Sequence, residues 1–174
     1  YDPIETLETV ISWDEKQIKL ITIYINPKTK ARDMEKQFDK LLKENEHNEY
    51  VLIGGDINCH NQLWENESRN DRKGGIIAEK ILDSDFQVLN DGSATYNNLA
   101  KSYQSAIDIT LSTPRITASA HWYVDENLTS DHMAIITEIQ PEKPNSALPL
   151  IKKHTNKKKN NPDSIEHRHL FYRN

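Results

Sequence analysis

The sequence predicts a mixed α/β (α+β) domain over residues 1–140. Three observations carry that prediction. Residues 18–25 alternate with a period of two and are β-branched and apolar on nearly both sides. The period then changes to that of an amphipathic helix over 32–47, where Met34, Phe38, Leu41 and Leu42 stand at i, i+4, i+7 and i+8. A short apolar run, Val51 to Ile53, follows it. A helix enclosed between two strands is the pattern of sheets covered by helices.

The elements follow in order. Thr6 to Trp13 reads as a strand, and with Ile18 to Ile25 it forms a hairpin across the polar turn 14–17. The second strand is expected to be central and buried, and Asn26-Pro27 stops it. After the helix, residues 50–55 form a buried strand. Residues 61–75 are polar, contain Arg69, Arg72, Lys73, Gly74 and Gly75, and read as a long loop of the kind that is often functional. Ile76 to Asp83 suggests a second helix, and Phe86 to Leu89 a short strand closed by Asn90-Asp91-Gly92. Short or clear strands are expected at 94–96, 105–111, 117–124 and 132–139, the last ended by Pro141. Trp13, Trp64 and Trp122 are expected to pack rather than to stack on bases.

Charge divides the chain. Residues 1–140 carry 14 Lys and Arg against 24 Asp and Glu, whereas 141–174 carry 8 against 3, so an acidic body precedes a basic tail. The tail holds Lys152, Lys153, Lys157, Lys158 and Lys159 among asparagines and prolines and reads as a linker or disordered segment. Solvation is its default meaning; nuclear import or contact with a phosphate backbone are the alternatives. A single cysteine, Cys59, excludes an internal disulfide and fits a reducing compartment. No apolar run is long enough for a membrane span, so nuclear or cytoplasmic residence without a membrane is expected.

The residues that can do chemistry gather at strand ends. The strand 50–55 runs into Gly54-Gly55-Asp56-Ile57-Asn58-Cys59-His60, where Asp56, Asn58 and His60 alternate and would share one side in extended backbone. An Asx-type turn is the competing reading. Asp108 lies between Ile107 and Ile109 in an apolar strand, and a carboxylate placed there needs a cationic or donor partner. His132, next to Asp131 before the last strand, can supply it, and the pairing would fix the imidazole tautomer and raise its basicity. Tyr24 closes its strand, and Thr95 follows Gly92. Oxygen donors without cysteines favour Mg²⁺ or Mn²⁺ over zinc. Carboxylates, an amide, a phenol and a buttressed imidazole suit attack of water on a phosphodiester.

Gly55-Asp56-Ile57-Asn58 after an apolar strand, Ser105-Ala106-Ile107-Asp108 and Ser130-Asp131-His132, in that order, resemble the endonuclease/exonuclease/phosphatase superfamily. Gly-Asp-Ile-Asn-Cys-His-Asn-Gln-Leu-Trp at 55–64, Val88 to Gly92 followed by Ala94-Thr95-Tyr96, and Ser105-x-Ile107-Asp108-Ile109-Thr110-Leu111 narrow this to the endonuclease domain of non-LTR, jockey-like retrotransposons. The resemblance covers about residues 1–140. It implies a four-layer α/β/β/α sandwich and a Mg²⁺-dependent endonuclease that nicks DNA for a linked reverse transcriptase. It implies Tyr24 at the scissile phosphate, Asp56 on the attacking water, Asn58 on the phosphate in the transition state, Asp108 orienting the catalytic His132, and Asp131 near the metal. Thr95 matches a position near the DNA-binding face, Ser130 is expected to hold the local backbone at the substrate face, and Arg69, Arg72 and Lys73 are further candidates for DNA contact against the default of a solvated loop. His60 belongs to the retrotransposon form of the motif.

The family's first half carries an Asn and a metal-binding Glu that have no counterpart here, because the strand-tyrosine motif already stands at residue 24. Part of the first half is therefore expected to be missing. Two other readings stay open: an inactive relic with residual nucleic-acid binding, and a related phosphoesterase acting on nucleotide or lipid phosphates.

Overall fold

The computed structural model describes residues 2–13, 15–66, 70–98, 102–125, 127 and 130–140. The basic tail 141–174 and Arg69 lie outside them. The hairpin is present as β1 (Glu5–Trp13) and β2 (Lys16–Tyr24), in antiparallel register from Glu5↔Tyr24 to Trp13↔Lys16. Helix α1 (Ala31–Asn45) follows, then β3 (Val51–Asp56), which returns parallel to β2. A parallel return needs a crossover, and α1 provides it. Helix α2 (Arg72–Leu82), β4 (Gln87–Val88), β5 (Tyr96–Asn98), β6 (Tyr103–Ser105) and β7 (Asp108–Ser112) come next. The short helix α3 (Pro114–Thr117), β8 (Ala120–Asp125) and β9 (Ala134–Ile139) complete the order.

One five-stranded mixed sheet, β1-β2-β3-β7-β4, organises the molecule, and β5–β6 and β8–β9 form two-stranded ribbons. The α/β class follows. The core lies on the helix side of the sheet. Met34, Phe38, Leu41 and Leu42 of α1 and Ile77, Ala78 and Ile81 of α2 pack with Ile21, Ile23, Ile53, Ile109 and Leu111. Gly55 is required there. At φ +149° a Cβ would come within 1.9 Å of the Ile23 carbonyl oxygen of the neighbouring strand.

Three expectations need correction. β2 is buried on both faces only in its first half: Ile21 and Ile23 on the helix face and Ile18 on the other are enclosed, while Thr22 and Tyr24 on that second face are exposed. The expected loop 61–75 ends at Asp71, whose carboxylate caps α2 by accepting from the Gly74 amide at 2.7 Å. Arg72, Lys73, Gly74 and Gly75 are therefore helical. Residues 114–117 form α3 with Pro at its start, where proline's missing N–H costs nothing. The edge strand β1 leaves Leu7 (69%), Val10 (56%) and Ile11 (42%) exposed despite their apolar side chains.

Candidate active site

Sheet register builds the site. Tyr24 of β2 is paired with Asp56 of β3, and Asp56 with Asp108 of β7. Registered neighbours project from the same face of a sheet. Tyr24, Asp56 and Asp108 therefore form one row across three strands, on the face opposite the helices. Two residues along, the same face carries Thr110, whose hydroxyl accepts from the Trp122 indole at 3.0 Å. The β8–β9 ribbon thus covers the face beside the row.

Each member of the row has a polar setting. Asp56 accepts from the Asn58 backbone amide at 2.9 Å and from its Nδ2 at 2.8 Å. Asn58 adopts φ +47°, so the chain turns here instead of running on in extended form. The competing turn reading is thus realised, and it is the turn that places amide and carboxylate together. His60 is not in this group: its Nδ1 faces Glu65 Oε2 at 3.1 Å. Burial pushes the Asp56 carboxyl up from its ordinary value, with Asp108 adding to the effect and Asn58 and His132 opposing it.

Asp108 is the hub. Its Oδ1 and Oδ2 lie 3.2 and 3.0 Å from His132 Nδ1, and Oδ2 also accepts from the Thr95 hydroxyl at 2.7 Å. Facing an acceptor-only carboxylate, Nδ1 is the donor, which leaves Nε2 as the acceptor nitrogen of the ring. The His132 side chain is 37% exposed and that of Asp108 is 13% exposed, so the imidazole forms the accessible end of the pair. Backbone pairing fixes His132. Met133 N donates to Thr95 O at 2.8 Å, Asn97 N donates to Asp131 O at 2.7 Å, and the Tyr96 ring packs 5.0 Å from the imidazole.

The other expected site residues take separate places. Tyr24 is 38% exposed at the end of the row. Thr95 is 0% exposed; its hydroxyl donates to Asp108 Oδ2 and accepts from the Asp108 amide at 3.1 Å. It is placed to hold Asp108 and is not accessible to a substrate. Ser130 Oγ accepts from the His132 amide at 3.2 Å. Asp131 is exposed, and among the described residues its carboxylate takes a 3.4 Å contact from Ser130. Arg72 is exposed at the start of α2. No group of three or more His, Cys, Asp and Glu able to hold a metal ion occurs among the described residues. Of the expected site residues, Asp56 and Asp131 are the carboxylates that would hold a divalent ion of the kind that takes one or two carboxylates and completes its shell with water and phosphate.

Two supports went unnoticed in the sequence. Buried Asn90 donates to Asp108 O at 2.9 Å and accepts from Thr110 N at 2.8 Å, clamping β7 on both sides of Ile109. Buried Glu65 accepts from the Ala106 amide at 2.9 Å, which ties the loop after Asn58 to the entrance of β7. Asn90 stands in a turn-like Asn-Asp-Gly, and that composition hid it. Nothing in the sequence around Glu65 distinguishes it from a solvated acid.

Residues 18–136 match the endonuclease-reverse transcriptase family. The chain belongs to this family. Membership places it in the endonuclease/exonuclease/phosphatase superfamily of nucleases and phosphoesterases. Its fold is similar to the endonuclease domain of TRAS1, a telomere-specific non-LTR retrotransposon, at TM-score 0.69 and 24% identity over 79% of this chain and 64% of that one. It is also similar to a 3′-5′ exonuclease from Neisseria meningitidis (TM-score 0.56, 14% identity, 78% and 70% covered). TDP2 from D. rerio, solved with a single-strand DNA product, gives TM-score 0.53 and 15% identity, with 76% and 60% covered. The chain therefore spans 64% of the length of the TRAS1 domain. No curated protein gives a significant match. Among the described residues no helix is long and apolar enough to cross a membrane.

Proposed function

We propose that this family member is the nicking endonuclease of a non-LTR retrotransposon, cleaving a DNA phosphodiester for a linked reverse transcriptase to prime on. One observation carries the reading: the Asp108–His132 pair stands in the same row as the Asp56–Asn58 turn, so a buttressed imidazole and a partly buried carboxylate face one space. Asp56 orients the attacking water and accepts its proton, a role that a raised carboxyl suits. The new bond forms between the water oxygen and phosphorus as the P–O3′ bond breaks, leaving a 5′-phosphate and a 3′-hydroxyl. His132, steadied by Asp108, places Nε2 against the reacting phosphate, and the Tyr24 phenol contacts a second phosphate oxygen.

Asn58 has a constraint. Its Nδ2 already donates to Ile25 O at 3.2 Å and to Asp56 Oδ2 at 2.8 Å, so both amide hydrogens are in use. To donate to phosphate it releases one of them, and the Asp56 bond is the one that opens toward the row. Magnesium, held by Asp131 and substrate phosphate, would neutralise phosphate charge when bound.

Plasmid nicking with Mg²⁺ tests the proposal. Supercoiled DNA is expected to relax, the nick is expected to be extended directly by a polymerase, and Asp56→Ala is expected to abolish both. Phosphate release from small phosphomonoesters without nicking would favour the phosphoesterase reading. An inert chain, both as given and extended upstream, would end the endonuclease reading.

A further inference from the structure

Lys73 is held at both ends. Its backbone lies in the first turn of α2, and α2 is locked against the segment that follows Asn58. A Cβ at Gly74 would come within 2.0 Å of the His60 carbonyl oxygen, so the helix approaches that backbone as closely as only glycine allows. Asp71 adds two bonds to the same residue, accepting from His60 N at 2.9 Å and donating from its own amide to His60 O at 3.0 Å. At the other end the Lys73 ammonium donates to the Pro27 carbonyl, 46 positions away in sequence and three beyond Tyr24. The buried Cys59 thiol registers the arrangement. Burial pushes it up to about 12, and it also feels the charges of Asp71, Lys73 and Asp56.

An ammonium has three donors, and one is spent on Pro27. The row at the ends of the same strands, on the other face of the sheet, is acidic, with Asp56 and Asp108 paired in register and Asp131 exposed next to His132 in the chain. A polyanion approaching those carboxylates needs fixed cations at the rim. The turn after Tyr24 adds two exposed cations, Lys28 and Lys30, at a cleft of about 350 Å³ that is also lined by Pro3, Asn26, Thr29 and Asp33. We propose that Lys73 binds a non-bridging phosphate oxygen of the nucleic-acid strand on the Tyr24 side of the row, with the Lys28–Lys30 turn continuing that track. The inference rests on the nucleic-acid reading above and adds a phosphate subsite to it.

The test is duplex DNA binding by the full chain, followed by fluorescence anisotropy in EDTA over a range of salt. Removing one phosphate contact is expected to reduce the slope of log affinity against log salt by about 0.9. Lys73→Gln should show that reduction, with affinity about fivefold weaker at low salt; Lys73→Arg should keep the wild-type slope. Lys80, on the same helix and paired with Glu35 at 3.3 Å, is the control for net charge. An unchanged slope in Lys73→Gln, or an equal reduction in Lys80→Gln, would overturn the subsite. If the slope is unchanged while the wild type nicks plasmid, the subsite alone fails. If the wild type neither binds duplex nor nicks, the subsite and the endonuclease reading fall together.

Discussion

His132 and His60 are held in the same way. Nδ1 of His132 lies 3.0 Å from Asp108 Oδ2, and Nδ1 of His60 lies 3.1 Å from Glu65 Oε2. In both pairs the carboxylate is the more buried partner and the imidazole the more exposed one. They differ in what surrounds the carboxylate. Asp108 shares a sheet row with Asp56 and Tyr24 and is braced by a threonine hydroxyl. Glu65 spends its second oxygen on a backbone amide, Ala106 N, and so joins a loop to a strand. A histidine–carboxylate pair is therefore not a site in itself. The groups that face the imidazole decide whether it acts on a substrate or secures the chain.

Substitutions should separate the two pairs. His132→Ala is expected to slow nicking about 10³-fold, as measured by plasmid relaxation at a temperature where thermal melting shows the variant folded. Asp108→Asn should cost about 10²-fold by loosening the imidazole and its tautomer, and Thr95→Val about tenfold, since it removes one brace of the same carboxylate. His60→Ala should behave in the opposite way. Nicking falls less than about fivefold at a temperature where the variant is folded. Stability drops by about 2 kcal/mol in urea titration, because Glu65, only 8% exposed, is left with an unpartnered oxygen. If the two histidine variants gave the same profile, the distinction drawn from their surroundings would fail.

The smallest effect concerns Asp56. A carboxyl raised in the folded state, first by burial, means that the fold holds its proton more tightly than the unfolded chain does. Stability from this group is then full below the ordinary carboxylate value and is lost as pH rises through the raised one. The stability of the wild type relative to Asp56→Ala should decline between pH 4 and pH 7, which urea titrations at both pH values would detect. A wild-type advantage that grows with pH would contradict the raised value.

Much of this was legible in the residues. The period of two over 18–25 and of 3.6 over 32–47 located β2 and α1, because one-sided burial writes itself into spacing. Asp108 between isoleucines demanded a partner, and His132 is the partner found. The rest depended on tertiary context. Asp56 and Asn58 meet through a left-handed turn that alternation does not encode. The start of α2 was hidden by Gly74-Gly75, which read as loop although Asp71 is a good cap; the first of these glycines serves close approach to His60 and not flexibility. Asn90 and Glu65 carry no local mark of burial, since their partners, Thr110, Asp108 and Ala106, lie 18 to 41 positions away.

The difference between the two histidines can be tested at the imidazole itself. Each is replaced by glycine, and nicking is measured with and without added imidazole. Free imidazole should restore part of the lost rate in His132→Gly and have no effect on His60→Gly, because in the proposed mechanism only the first ring meets the substrate. Rescue at His60, or an inactive His132→Gly that imidazole leaves unchanged while His60→Gly responds, would contradict the assignment of the reacting imidazole to the Asp108 pair.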